Sequence, residues 1–152
     1  MKIALAQLNY HIGNFEGNLQ KILQAVETAR KAGADLICFG ELSVCGYPPR
    51  DFLEFDDFIR RSQASVRSLL AVSDSIGIVV GAPTRNPVLE GKDLYNSAYF
   101  LYEGEVIGLQ HKALLPTYDV FDEYRYFEPA REFHPVIFKG YRIGLTICED
   151  IW

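Results

Sequence analysis

Three observations predict an α/β fold built on a mixed sheet. Strand-like and helix-like segments alternate through the first half of the chain. The strand-like runs there are continuously apolar, as in strands covered on both faces. The second half changes to short strand pairs around turn residues, which a purely doubly wound parallel sheet would not contain. The resulting order is β-α-β-α-β followed by hairpins.

Each element has a local reason. Lys2 to Leu8 reads as a first strand. Between Phe15 and Lys31 apolar residues fall at Phe15, Leu19, Ile22, Leu23, Val26 and Ala29, offsets of 4, 7, 8, 11 and 14 that place them on one helical face. Asn14 is the expected N-cap and Gly33 the expected stop. Leu36-Ile37-Cys38-Phe39 is a short buried strand, with Glu41 just beyond it. Gly46-Tyr47-Pro48-Pro49-Arg50-Asp51 is turn-rich and reads as a loop. Phe58, Ile59, Val66, Leu69 and Leu70 mark a second helix ending before Gly77, and Ile78 to Ala82 a third strand stopped by Pro83. Ser97–Tyr102 and Glu105–Gln110 form a hairpin around Glu103-Gly104, with Lys112 just after its second strand. Leu115 to Arg131 lacks clean periodicity and reads as loop with a short helix. Pro135–Phe138 and Tyr141–Ile147 form a second hairpin around Lys139-Gly140 and lead into Cys148.

At 152 residues the chain is long enough for one domain with a real core, and 49% hydrophobic content excludes a disordered segment. A formal net charge of −5 argues against nucleic acid as a partner, which calls for a basic face. No apolar run approaches the ~20 residues of a membrane span. The start, Met1 to Gln7, turns polar too early for a signal peptide. The three cysteines, Cys38, Cys45 and Cys148, are widely spaced and do not cluster with the three histidines. Reduced thiols in a cytoplasmic protein, with neither a disulfide framework nor a metal site, are the expectation.

Glu41, Lys112 and Cys148 each follow a predicted strand directly, and strand ends are where sites form in α/β folds. A thiol of ordinary pKa, ~8.5, needs a base, which Glu41 would supply. Attack on an amide carbon creates an oxyanion, which Lys112 and a backbone N–H after Cys148 would stabilise. Glu41 would return a proton to the leaving ammonia. Cys38 and Cys45 read as small packing residues. His111 adjoins Lys112, but successive strand residues point to opposite faces, so it is read outside the site.

Four blocks carry a resemblance. They are Glu41-Leu42-Ser43-Val44-Cys45-Gly46-Tyr47-Pro48-Pro49, Lys112-Ala113-Leu114-Leu115-Pro116-Thr117-Tyr118, Val120-Phe121-Asp122-Glu123-Tyr124-Arg125-Tyr126-Phe127 and Cys148-Glu149-Asp150-Ile151-Trp152. In this order they resemble the glutaminase domain of glutamine-dependent NAD synthetases, within the nitrilase superfamily of carbon–nitrogen hydrolases. The resemblance implies an α-β-β-α sandwich with a mixed sheet, of which residues 1–152 would be the N-terminal part, cut after the nucleophile strand. It implies Cys148 as nucleophile, Glu41 as general base, Lys112 as oxyanion partner and Glu123 as the carboxylate positioning Lys112. Tyr118, Tyr47 and Glu149 fall at glutamine-contacting positions. Thr117 stands where the family often has Asn. The implied activity is release of ammonia from glutamine through a Cys thioester, for amidation of nicotinic acid adenine dinucleotide. The implied partner is a synthetase domain of the same polypeptide that uses ATP and Mg, in a homo-oligomer; no cofactor is expected in these residues. Two other readings stay open: another nitrilase-type amidase or carbamoylase, and an inactive fragment or docking module.

Overall fold

The computed structural model describes all of residues 1–152. Its elements are β1 (Ile3–Ala6), α1 (Phe15–Lys31), β2 (Leu36–Phe39), α2 (Asp56–Leu70), β3 (Gly77–Arg85), β4 (Leu94–Tyr102), β5 (Glu105–His111), β6 (Val136–Phe138) and β7 (Tyr141–Ile143). Short 3₁₀ turns lie at Arg50–Glu54, Glu123–Arg125 and Cys148–Ile151. The sheet order is β1-β2-β3-β4-β5. The first three strands are parallel, joined by helical crossovers, and β4 and β5 add antiparallel. This is the expected mixed sheet.

Helix α1 has the expected bounds, and Asn14 caps it by accepting from the Gly17 N–H at 3.1 Å. Gly33 leaves the helix at φ +70°, a backbone that residues with a Cβ avoid. Both hairpins turn at the predicted pairs, with Glu103-Gly104 at φ +51° and +78° and Lys139-Gly140 at +48° and +80°. Two consecutive positive φ values give the turn twist that matches paired strands.

The period of two along the strands sorts side chains into two cores. Ile37, Ile78, Val80 and Leu101 meet Ile22 and Val26 of α1 and Ile59 and Leu69 of α2 on one face. Each such fully buried side chain contributes about 1.5–3 kcal/mol by leaving water. Leu36, Ala98 and Phe100 meet Val136, Phe138, Leu145 and Ile147 on the other face. The layers are therefore helices, five-stranded sheet, and the β6–β7 hairpin, matching the α-β-β order of the expected sandwich.

Several boundaries differ from expectation; β4 begins at Leu94 rather than Ser97 and β5 ends at His111 rather than Gln110. β1 stops at Ala6 rather than Leu8 because its parallel partner β2 is only four residues long, with register Ile3↔Leu36 to Ala6↔Phe39. β3 runs through Pro83 to Arg85. Its ladder with β2 ends at Val79, so beyond that point β4 is its only strand partner and a missing N–H on the other side breaks no ladder bond. β7 ends at Ile143 rather than Ile147, because β6 supplies ladder partners only as far as Val136↔Ile143. Leu145 and Ile147 are still buried, but as extended chain rather than strand. Cys148 consequently opens a 3₁₀ turn instead of ending a strand. No helix is long and apolar enough to cross a membrane.

Candidate active site

The turn after β2 carries Glu41. It lies over β3 because Gly81 has no side chain: a Cβ there would sit 2.9 Å from Gly40 O and 3.0 Å from the Glu41 carbonyl carbon, and closer still to Leu42 N. The turn is tied down by Val44 N–H donating to Gly81 O at 3.2 Å and Gly81 N–H donating to Ser43 Oγ at 3.3 Å. Past Val79, then, the Glu41 turn takes the place beside β3 that β2 has vacated.

Lys112 follows β5, held by its N–H on Asn96 O at 2.8 Å. Its side chain is fully buried and its Nζ sits between two carboxylates, 2.7 Å from Glu41 Oε1 and 2.8–2.9 Å from the Glu123 oxygens. A buried ammonium is tolerated only when paired in this way. Glu123, in its own 3₁₀ turn, is 4% exposed rather than on the open acidic loop its neighbours suggest. It also accepts from the Tyr47 hydroxyl at 2.8 Å. That bond commits the hydroxyl of Tyr47 to Glu123, so the structure places it behind Lys112.

Glu41 Oε1 accepts a second bond, from Asn96 Nδ2 at 2.6 Å. Its other oxygen makes no hydrogen bond within the protein, and Glu41 lines a cavity of about 220 Å³ that Cys148 shares. Phe39, Val79, Gly81, Ser97 and Ile147 complete most of its wall. Cys148 is exposed and holds φ +48°, a left-handed backbone costly for a residue with a Cβ.

The electrostatics separate these groups. Burial, reinforced by the Glu123 charge, raises the Glu41 carboxyl above the ordinary range against the opposing bonds from Lys112 and Asn96. Burial pulls the Lys112 ammonium down, but its hydrogen bonds to Glu123 and Glu41 outweigh this and keep its pKa above the ordinary lysine value. Burial and then the Glu41 charge raise the Cys148 thiol, with Lys112 opposing. Two carboxylates against one ammonium thus leave a thiol that needs a base and a carboxyl pushed toward accepting a proton.

Tyr118 and Glu149 meet at the surface, the hydroxyl donating at 3.0–3.1 Å to the carboxylate. His111 stacks on Tyr95 at 4.1 Å and bonds Ser97 Oγ at 2.7 Å; Ser97 lines the cavity that Glu41 and Cys148 share, and His111 does not. Cys45 is buried, and burial pushes its thiol to about 12; Cys38 is half-buried against the hairpin-side core. Asn96 and Gly81 were not visible as site residues in the sequence, because neither belongs to a recognisable block and each acts through a cross-strand contact. The spacing of Asp150 from Cys148 was visible, but its partners were not.

Comparisons agree with this architecture. The carbon-nitrogen hydrolase family model matches residues 2–152. The glutamine-dependent NAD(+) synthetase of Synechocystis is 44% identical over 154 residues, covering 99% of this chain and 28% of that protein. The enzyme of the same name from Thermotoga maritima is 38% identical, covering 100% of this chain and 26% of that protein. The chain thus spans about a quarter of the length of these relatives. Among solved structures, the glutamine-dependent NAD+ synthetase of Acinetobacter baumannii superposes with a TM-score of 0.90 at 40% identity, over 99% of this chain and 28% of that one. An amidase from Nesterenkonia superposes at 0.84 with 23% identity, over 99% of this chain and 56% of that one, a likeness of fold.

Proposed function

The chain belongs to the carbon-nitrogen hydrolase family, and we propose that it is the glutamine-hydrolysing part of a glutamine-dependent NAD synthetase. The observation that carries this reading is the Lys112 ammonium clamped between Glu41 and Glu123, beside a cavity that Glu41 shares with Cys148. The similarity to NAD synthetases over nearly the whole chain supports glutamine as the substrate.

In this reading the free oxygen of Glu41 takes the Cys148 proton as Sγ attacks the side-chain amide carbon of glutamine. The amide oxygen becomes an oxyanion. An ammonium has three donors, and Lys112 directs the one not used by Glu41 and Glu123 at that oxygen. The C–N bond then breaks, Glu41 returns its proton to the leaving nitrogen, and ammonia departs from a glutamyl thioester. Water, deprotonated by Glu41, attacks the thioester carbon; glutamate leaves and the thiol recovers its proton. Asn96 and Lys112 both bond Glu41 Oε1, which reserves the other oxygen for these transfers. Tyr47 holds Glu123, and Glu123 holds Lys112. Glu149 follows Cys148 directly and is held by the Tyr118 hydroxyl, and in this reading its carboxylate meets the α-ammonium of glutamine.

The ammonia then serves a synthetase domain of the same polypeptide, which binds ATP and Mg and amidates nicotinic acid adenine dinucleotide in the cytoplasm, within a homo-oligomer. The test is Cys148→Ala in the protein as its gene encodes it. Glutamine-dependent ammonia release should disappear while synthesis from added ammonia persists. Unchanged ammonia release from glutamine in that variant would refute the assignment.

A further inference from the structure

Asp150 takes no part in the proton transfers above, yet it is the most heavily bonded side chain of the Cys148 turn. Its Oδ1 accepts the backbone N–H groups of Ala113 and Leu114, each at 2.9 Å. Its Oδ2 accepts the Ile147 N–H at 3.1 Å. One carboxylate therefore joins the two residues immediately after Lys112 to the residue immediately before Cys148. No backbone–backbone hydrogen bond connects these two stretches. A turn-capping role explains the bond to Ile147 alone; the two bonds to residues 36 and 37 positions earlier lie outside the turn. The flanking residue, Cys148, keeps a left-handed backbone at φ +48°, which persists only where its surroundings hold it.

We propose that Asp150 is a positioning residue whose carboxylate sets the place of the Cys148 thiol relative to Lys112 and Glu41. The inference rests on the catalytic reading given above, in which that separation decides the rate. Without the carboxylate, the turn loses its tie to the Lys112 segment and Cys148 can relax toward an ordinary backbone. Displacement on the order of 1 Å in a reacting group costs roughly a hundred-fold in rate. An Asn side chain keeps one carbonyl oxygen for Ala113 and Leu114 but turns an NH₂ group toward the Ile147 N–H, so it preserves part of the tie.

The experiment uses Asp150→Ala and Asp150→Asn in the protein as its gene encodes it, with Cys148→Ala as the blank. In ammonia release from glutamine, the Ala variant is expected to lose about a hundred-fold in kcat with KM within about three-fold, and the Asn variant to recover about ten-fold of that loss. Iodoacetamide alkylation of Cys148 followed against pH reads the thiol without any substrate. As the thiol leaves the neighbourhood of Glu41, the midpoint should fall toward that of an ordinary cysteine in the Ala variant and less so in Asn. A kcat within about three-fold of wild type in the Ala variant overturns the proposal, as does lost activity with an unmoved alkylation profile. If the Ala variant does not fold, the Asn variant decides: intermediate kcat with a shifted profile supports the proposal, and wild-type values overturn it. A wild-type protein that releases no ammonia from glutamine refutes the glutaminase reading, while a shifted profile in the Ala variant would still support the positioning role.

Discussion

Gly81→Ala tests how the Glu41 turn is held. Gly81 lies inside β3 with an ordinary strand backbone, so alanine brings no conformational strain of its own. By restricting the unfolded chain it would even favour folding by about 0.4–1 kcal/mol if there were room. There is none. The new methyl would stand 2.9 Å from Gly40 O, against about 3.4 Å for an ordinary contact, so the turn must yield by at least half an ångström, and by more at Leu42 N. The obstacles are backbone atoms and cannot rotate away. Overpacking of this kind costs about 1–3 kcal/mol, leaving a net destabilisation of about 1.3 kcal/mol at mid-range, and at most about 2.6 kcal/mol, after the unfolded-state gain. Moving the turn also moves Glu41 away from the cavity it shares with Cys148, for a loss of roughly ten- to a hundred-fold in kcat. Denaturant unfolding gives the first quantity and steady-state ammonia release from glutamine the second. A variant with both the unfolding midpoint and kcat of wild type would refute the claim that close approach to Gly81 places the general base.

Further outcomes follow from the same contacts. Glu123→Gln removes the charge that, after burial, raises the Glu41 carboxyl, so the acid limb of kcat/KM should move to lower pH; an unmoved limb counts against Glu41 as the titrating base. The stability sign is opposite to that of a salt-bridged surface acid: because the folded pKa of Glu41 is raised, its contribution is complete below the unfolded carboxyl pKa and is lost as pH rises through the folded one, a loss Glu41→Gln should abolish in pH-dependent unfolding. Asn96→Ala frees Glu41 Oε1 from one of its two donors and should lower kcat by roughly ten-fold, with KM little changed; equal kcat would show that Lys112 alone holds Glu41. Leu5 is 82% exposed and Ile3 48% on edge strand β1, so residues 1–152 expressed alone should self-associate on size-exclusion chromatography and Leu5→Lys should reduce it; a monodisperse wild-type monomer would contradict this.

The sequence was most informative where one local rule decides the outcome. The α1 bounds followed from its apolar period, Asn14 and Gly33, and both hairpin turns from residues that accept positive φ. It was least informative where a neighbour decides. The lengths of β1 and β7 depend on how far β2 and β6 extend, and Pro83 is accommodated because β2 has already ended; none of this is written locally. The same division runs through the site. Glu41, Lys112, Glu123 and Cys148 were legible from their motif blocks; the structure joins the first three by hydrogen bonds through Lys112, and Glu41 and Cys148 line one cavity. The matching partners were not legible. Asn96 reaches Glu41 across 55 positions of sequence and Tyr47 reaches Glu123 across 76, and such pairs appear only when the chain has folded.

What divides the two carboxylates is their partners rather than their residue type. Glu123 shares its Oε1 between Tyr47 and Lys112, and its buried Oε2 makes no hydrogen bond but lies 2.8 Å from the same ammonium, so neither oxygen faces a cavity shared with Cys148. Glu41 concentrates both of its bonds on one oxygen and presents the other to a cavity. A carboxylate packed with both oxygens against one ammonium holds that ammonium in place, whereas one with a free oxygen on a cavity and a raised pKa can take and return a proton. Exchanging the two environments would exchange the roles. That is why the glutamate beside the open cavity, and not the more deeply buried one, is the base in the mechanism proposed for this chain.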